Sequence, residues 1–385
     1  MIKVNLSRGL VPLWLLASTY AFGGSAEKCY KMHNRLTGVP PTSAQLQACV
    51  SLVDAGKAEE AAGAMVEEDL FYNDTLRYMF SPWTNENGDK LVPLTDFSAT
   101  AIGMVRDDVD WRQFLQGDLV YTCEGAAGLT APSLTDNTHY EECGAQPLKT
   151  ALLQKQQTVL NPALAGQTTV PAGVYTTRGF AEAYYIAGTN RAAIRFSLMN
   201  FMCEDIDAFH DTSIADFRVR QDVDRIPGGS SKTFINECKG CHSGMDPLAG
   251  AFAHLDWDED NLQMVFAPDS VVPKFFNNAD VFPDGYVTKS DEWMNFWTKG
   301  HNARVGWPVA SEGEVLRGNG PKSLGKMFSE TQQYSSCMAK TVYKTVCMQD
   351  QKLDEAGVQE LSKAFAASGY KVKTLFKKAA ASCME

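Results

Sequence analysis

The sequence predicts a mainly α-helical protein, and three observations lead to that fold class. Apolar residues recur at helical spacing along three long segments, residues 42–69, 98–121 and 177–209. Thr42 or Ser43 stands before the first segment as a helix cap. Neither the strand–helix–strand units of a parallel sheet nor a glycine fingerprint for phosphate binding is visible. With 44% hydrophobic residues, the chain also has the material for a packed core.

The rest of the chain divides into irregular stretches and a helical end. Glycine, proline, threonine and asparagine are frequent in residues 125–173, which we expect to form loops, and residues 268–286 are similar. The last sixty residues predict two amphipathic helices. One of them carries Cys337 and Cys347, and the other spans residues 354–383.

The first residues have the pattern of an export signal. Lys3 and Arg8 give a positive start, an apolar run follows to Phe22, and small residues then suit cleavage after Ala26. The apolar run is too short and too interrupted to span a membrane, and no later segment approaches about 18 unbroken apolar residues. We therefore expect residues 1–26 to be a cleaved signal peptide, and the mature chain to be periplasmic or secreted, without a membrane span.

The formal net charge of −11 limits the kinds of molecule that the protein is expected to bind. Nucleic acid is disfavoured, because phosphate binding needs a basic surface. An acidic surface is instead compatible with electrostatic docking to a basic protein.

The cysteine count fits an oxidising compartment. Ten cysteines are present, and eight remain once the closely spaced Cys238 and Cys241 are set aside. Ten residues of helix would hold the Cα atoms of Cys337 and Cys347 about 15 Å apart, too far for a disulfide. Each is expected to pair elsewhere, with Cys203 and Cys383 as candidates. The expected local pairs are Cys29 with Cys49 and Cys123 with Cys143.

The pattern C-x-x-C-H at Cys238, Cys241 and His242 carries the most specific chemistry in the chain. In a c-type haem site, two thiols add to the two porphyrin vinyl groups, and the next residue ligates iron from the same short helix. The sequence therefore predicts one covalently attached haem c. Cys238 and Cys241 would be its attachment points and His242 its proximal iron ligand.

Two other uses of such cysteines fit the sequence less well. A zinc site would need a second C-x-x-C or a paired histidine motif, and a redox dithiol would need a preceding strand. The segment before the motif instead predicts a glycine-rich turn and a short helix. Phe234 lies four residues before Cys238, where an aromatic ring packs either on a porphyrin edge or in the protein core.

The run CKGCHSGMDPLAGAF resembles the C-x-x-C-H-x-x-M-D-P-x-x-x-A-F run of exported cytochrome-c-like proteins of the planctomycete-cytochrome type. Residues 190–203, 218–231, 318–347 and 368–383 extend the resemblance. It implies an exported c-type cytochrome with a helical fold, and it implies no substrate.

The resemblance and the motif together suggest a division of the chain. We expect a helical N-terminal region over residues 27–225. A cytochrome-c-like haem domain with an all-helical C-terminal extension would then follow over residues 226–385.

The sequence assigns the roles of the residues around the motif less firmly. Asp246–Pro247 is expected to begin a turn whose carbonyl accepts the His242 Nδ1 proton, as partners of ligating histidines do. Met245 is expected to serve packing. Arginines at positions 218, 220 and 225 precede the motif closely enough to pair with haem propionates, or else form a solvated face.

The ligand on the other side of the iron is left without an assigned residue. The downstream candidates are Met264, Met294, His301 and Met327, and the upstream ones are Met202 and His210. Met294 stands in the aromatic-rich segment 290–307, which suits a haem crevice.

The expected function is electron transfer between redox partners by a single-haem c-type cytochrome, with no catalytic residue assigned. Two protein ligands, ideally His and Met, would make the iron an outer-sphere carrier with a raised potential. The acidic chain suggests a redox partner with a basic docking surface. One alternative is a haem enzyme or enzyme subunit of peroxidase or oxidase type, with an open distal site. Another is a partner-docking protein with a relay haem.

Overall fold

A computed structural model describes residues 24–124, 128–348 and 353–384. All but the last three residues of the predicted signal peptide lie outside this part of the chain, and Ser25 and Ala26 already belong to the first helix. None of the described helices is long and apolar enough to cross a membrane.

Helices dominate the described residues, which confirms the mainly α fold class. In chain order they are α1 (Ser25–Thr37), α2 (Ser43–Asp54), α3 (Ala58–Met65), α4 (Arg77–Phe80), α5 (Asp96–Arg106), α6 (Thr138–Cys143), α7 (Leu148–Ala151), α8 (Gln157–Leu160), α9 (Arg178–Tyr184), α10 (Arg191–Met202), α11 (Ser231–Thr233), α12 (Lys239–Ala249), α13 (Gly320–Ser329), α14 (Gln332–Cys347), α15 (Glu355–Ala367) and α16 (Val372–Ser382).

Strands are short and form three antiparallel pairs in the described chain. The pairs are β1 (Val120–Cys123) with β2 (Leu152–Lys155), β3 (Leu255–Asp258) with β4 (Gln263–Phe266), and β5 (Glu292–Asn295) with β6 (Leu316–Asn319). Tight 3₁₀ turns connect many of the elements, and two wider π turns occupy Phe71–Leu76 and Phe234–Cys238.

The helix cap expected at residues 42–43 is confirmed at Thr42. Its hydroxyl accepts a hydrogen bond from the Gln45 amide at 3.3 Å, and the Gln45 side chain accepts one from the Thr42 amide at 2.8 Å. This reciprocal pair satisfies donors that the first turn of α2 would otherwise leave free.

The helix predicted over residues 98–121 is wrong in its second half. α5 ends at Arg106, and Asp108 then takes a φ of 53°, which a right-handed helix does not accommodate. A 3₁₀ turn and strand β1 follow. The Tyr121 amide in β1 donates to the Thr100 hydroxyl at 3.1 Å, so the strand is held against α5.

Three other predicted helical segments are also divided by residues with positive φ. Residues 42–69 form α2 and α3, with Gly56 in the left-handed region between them. Residues 177–209 form α9 and α10, with Gly188 and Asn190 in the left-handed region between them. Residues 354–383 form α15 and α16, separated at Gly369. The predicted loop over 125–173 holds α6, α7, β2 and α8, and its residues 125–127 lie outside the described chain.

One hydrophobic core contains buried residues from both sides of the boundary predicted at residue 226. The ring of Phe71 meets that of Phe376 edge-on at 4.8 Å, and the Tyr334 hydroxyl donates to the Trp111 carbonyl at 2.9 Å. The C-terminal helices therefore pack on the N-terminal region. The predicted regions 27–225 and 226–385 share a core.

Eight cysteines form the expected disulfides. The pairs are Cys29–Cys49, Cys123–Cys143, Cys203–Cys337 and Cys347–Cys383. Cys337 and Cys347 both lie on α14 and pair with partners outside it, as their helical separation requires. Four disulfides fit a secreted protein, because such bonds persist in oxidising compartments.

Removing the Cys203–Cys337 disulfide should destabilise the fold more than removing the Cys29–Cys49 disulfide. The bonds close loops with sequence separations of 134 and 20 residues. The chain-entropy relation gives losses of about 5 and about 3 kcal/mol respectively. Urea unfolding of the Cys203→Ala/Cys337→Ala and Cys29→Ala/Cys49→Ala variants measures the difference. Equal losses, or the reverse order, would contradict it.

Candidate functional site

Helix α12 brings the three residues of the C-x-x-C-H pattern onto one face. The π turn Phe234–Cys238 leads directly into α12, and Cys241 and His242 follow Cys238 at three and four residues. Residues at these spacings are neighbours on a helix surface. All three side chains are half-buried, so the face that they form is open to a bound group.

The two cysteines of this face remain thiols while the other eight are paired. Burial of the thiol and the nearby charge of Asp207 raise the pKa of Cys241 to about 11. Cys241 is therefore a weak nucleophile in the haem-free chain at neutral pH.

Two glycines let other rings cover the opposite side of α12. A Cβ atom on Gly240 would overlap the imidazole of His210, and one on Gly244 would overlap the indole of Trp297. Gly240 lies on the face opposite Cys238 and His242, because it is two residues from each. His210 thus packs behind the helix, and its Nε2 lies 3.2 Å from the Asn236 carbonyl oxygen.

The buried carboxylate of Asp246 holds the imidazole of His242. Nδ1 of His242 lies 3.0 Å from Oδ1 of Asp246, whose side chain is 0% exposed. Arg191 donates to the same carboxylate through Nε at 2.7 Å and Nη2 at 3.0 Å, and the Arg220 amide donates to Oδ2 at 3.1 Å. Four donors therefore saturate the two oxygens.

These contacts fix both the charge of Asp246 and the tautomer of His242. Burial opposes ionisation of the carboxyl group, but the charges of Arg191 and Arg220 outweigh it and hold the pKa of Asp246 well below its usual range. An ionised carboxylate only accepts hydrogen bonds, so Nδ1 of His242 carries the proton. In the neutral ring, Nε2 therefore keeps its lone pair and can bind a metal.

The turn expected at Asp246–Pro247 is wrong, since α12 continues to Ala249 with Pro247 inside it. The partner of Nδ1 is the Asp246 side chain rather than a backbone carbonyl. Four residues separate it from His242, and that spacing places the two side chains on one helix face.

Arg191 is placed by the residue before it. Asn190 starts α10 in a left-handed conformation, and its side-chain amide donates to the carbonyls of Phe252 at 2.9 Å and Leu255 at 2.8 Å, beyond the end of α12. The Arg191 guanidinium then bridges Asp246 and Asp222, with both Asp222 contacts at 2.7 Å.

Two of the three predicted propionate-binding arginines keep buried donors free. Arg218 and Arg220 are 9% and 2% exposed, so the alternative of a solvated face is wrong for both. Within the described chain, Nε of Arg218 and both Nε and Nη1 of Arg220 have no hydrogen-bond partner. Burial lowers the pKa of Arg220 to about 10. Arg225 instead donates to the Val223 and Val219 carbonyls.

Several candidates for the second iron ligand make contacts away from the motif. The sulfur of Met202 accepts from the Thr331 hydroxyl, and that of Met327 from the Asn295 amide. Both are buried in the core, as is Met245, whose predicted packing role is confirmed. His210 lies behind α12, and Met264 lines a small cavity beside Asp96 and Tyr140. Met294 on β5 is half-buried and His301 is exposed.

Phe234 packs beside the motif in a cluster of its own. It is buried together with Val219 and Val223, and Cys238 packs against this cluster, which is distinct from the main core. The guanidinium of Arg225 lies 4.6 Å from the Phe234 ring centroid. Phe234 therefore supports the side of the motif face on which Cys238 lies.

A groove of about 1000 Å³ lies away from the motif, among α1, α4, α10 and α14, where Lys340, Lys344 and Trp83 contribute to its lining. The candidate site is thus defined by its donor atoms rather than by a deep cavity. Its thiols, the free Nε2 and the unpartnered N–H groups of Arg218 and Arg220 are donor atoms suited to a flat metal-containing group that carries carboxylates.

Comparisons of the chain with protein-family models, curated proteins and solved structures gave no match. Within the described residues, no three His, Cys, Asp or Glu side chains are arranged to hold a metal ion among themselves. The site rests on the motif and its surroundings. The sequence did not point to Arg191 and Asp222 individually, although both lie in the segments 190–203 and 218–231 that carry the family resemblance.

The raised pKa of Cys241 predicts slow alkylation of the haem-free chain. At pH 8 a thiol with a pKa near 11 has on the order of 100-fold less thiolate than an ordinary cysteine with a pKa of about 8.5. In a Cys238→Ser variant, where Cys241 is the remaining thiol, iodoacetamide labelling should accelerate with pH up to about 11. A midpoint at or below that of an ordinary thiol would contradict the environment described.

Proposed function

We propose that the protein is an exported, single-haem c-type cytochrome that transfers electrons between redox partners. The periplasm is its expected location, and residues 1–26 are the proposed signal peptide. Support comes chiefly from one observation. Cys238 and Cys241 remain thiols on the same helix face as His242, whose Nδ1 is held by Asp246 so that Nε2 is free.

The two thiols are the groups through which attachment would occur. The sulfur of each cysteine, Cys238 and Cys241, would form a C–S bond with one porphyrin vinyl group, and the thiol hydrogen would add to the other carbon of that vinyl group. No oxidant is consumed and no group leaves. A disulfide could not react in this way, so the pairing of the other eight cysteines among themselves keeps the motif competent.

His242 would bind the iron through Nε2 and hold the group at the surface of α12. Its ring cannot turn freely, because Asp246 is fixed by Arg191 and by the Arg220 amide. The free N–H groups of Arg218 and Arg220 are suited to pair with propionate carboxylates. When bound, the iron supplies reversible one-electron oxidation and reduction.

The exposure of the His242 side chain favours an electron carrier over a haem enzyme. The His242 side chain is 24% exposed, so the motif face is open to the surface. Such a position allows electron exchange with a docked protein. The net charge of −11 suits a partner with a basic docking surface. A haem enzyme with an open distal site is the alternative, and its iron would bind small ligands readily.

Haem attachment should depend on the motif cysteines and not on cysteines in general. After co-expression with a cytochrome c maturation system, the wild-type chain should retain one haem per chain through denaturation. The Cys238→Ala/Cys241→Ala variant should retain none, since thioether bonds cannot form. Cys29→Ala/Cys49→Ala also removes two cysteines and should keep the haem. Pyridine haemochrome spectra of the denatured proteins measure this, and a wild type without haem would overturn the proposal.

Carbon monoxide separates the carrier from the enzyme. The ferrous carrier should bind carbon monoxide slowly or not at all, because a second protein ligand occupies the iron. Met294→Leu should then speed binding by at least tenfold if Met294 is that ligand, while Met264→Leu should not. Stopped-flow absorbance gives the rates. Rapid binding by the wild type would favour the enzyme.

A further inference from the structure

The geometry points to Asp246 as a positioning residue that lowers the reduction potential of the iron bound by His242. This inference rests on the proposed function, because it concerns the ligand that His242 would become. It differs from the raised potential expected for a His–Met carrier. The reason lies in the charge of the group that accepts the Nδ1 proton.

A carboxylate accepts a hydrogen bond more strongly than a neutral carbonyl. The charge-assisted bond draws the Nδ1 proton of His242 toward Asp246 and leaves more electron density on Nε2. A richer nitrogen stabilises ferric iron more than ferrous iron, since the ferric state has one more positive charge. The equilibrium between the two states therefore moves toward ferric.

The carboxylate cannot leave this position. Its side chain is 0% exposed, and Arg191 and the Arg220 amide occupy the rest of its acceptor capacity. Water therefore does not compete for the hydrogen bond, and the bond is stronger in a buried environment than it would be at the surface.

The hydrogen bond between His242 and Asp246 should influence the reduction potential more than the electric field of the surrounding charges does. The group consists of two carboxylates, Asp246 and Asp222, and two guanidinium groups, Arg191 and Arg220, so its formal charge sums to zero. At the distance of the iron these opposite charges largely cancel. The direct bond to His242 is left as the main influence.

The test compares two substitutions that remove the same charge. Asp246→Asn loses the carboxylate bonded to His242. Asp222→Asn loses a carboxylate that contacts Arg191 but makes no hydrogen bond to His242. Haem content is measured first by pyridine haemochrome, and the potential is then measured by spectroelectrochemical titration.

Asp246→Asn should shift the equilibrium toward ferrous iron by at least tenfold, which is about 59 mV upward for a one-electron couple. Asp222→Asn should shift it less than about threefold. Equal shifts in the two variants, or no shift in Asp246→Asn, would overturn the inference. A wild-type protein without haem would overturn the proposed function and this inference with it. If Asp246→Asn fails to retain haem while the wild type and Asp222→Asn retain it, Asp246 is a folding residue and the inference is overturned.

Discussion

The saturated carboxylate of Asp246 is the constraint on which the candidate site depends. It joins three parts of the chain that are far apart in sequence: the start of α10 through Arg191, the segment after α10 through the Arg220 amide, and α12 through His242. Removing one partner from a buried ion pair costs about 3–5 kcal/mol, because the remaining charge is left uncompensated. The contacts of Asp246 therefore hold these elements together.

The other features of the site follow from how α12 is enclosed. Gly240 and Gly244 allow His210 and Trp297 to approach its back closely. Contacts behind the helix leave the front, with both thiols and Nε2 of His242, as the face available to a bound group. The four disulfides occupy the remaining cysteines, so Cys238 and Cys241 are chemically distinct from the rest.

The sequence was sufficient for features that depend on local spacing. Helical periodicity predicted the fold class, the rise of a helix excluded a Cys337–Cys347 bond, and all four disulfides agree with the expected partners. Helix ends were predicted less well. Asp108 and Asn190 adopt positive φ angles that only the surrounding packing imposes, so periodicity alone extended both helices too far.

The contacts of His242 could be predicted only in part. A partner for Nδ1 was expected, but the choice between a carbonyl and the Asp246 carboxylate depends on α12 continuing through Pro247. Arg191 lies 55 residues before Asp246, and no local pattern connects the two. The same holds for Asp222. Their meeting is a property of the tertiary fold, although the family resemblance had already drawn attention to both segments.

The tautomer of His242 tests the central role of Asp246 most directly, because it needs no bound group. Long-range ¹⁵N–¹H spectra of the haem-free protein, labelled with ¹⁵N-histidine, report which ring nitrogen carries the proton when the ring is neutral. The His242→Gln variant identifies the signals. We expect a protonated Nδ1 and an unprotonated Nε2 that become a mixture in Asp246→Asn. A proton on Nε2 in the wild type would contradict the account, since that nitrogen could not then serve as the ligand.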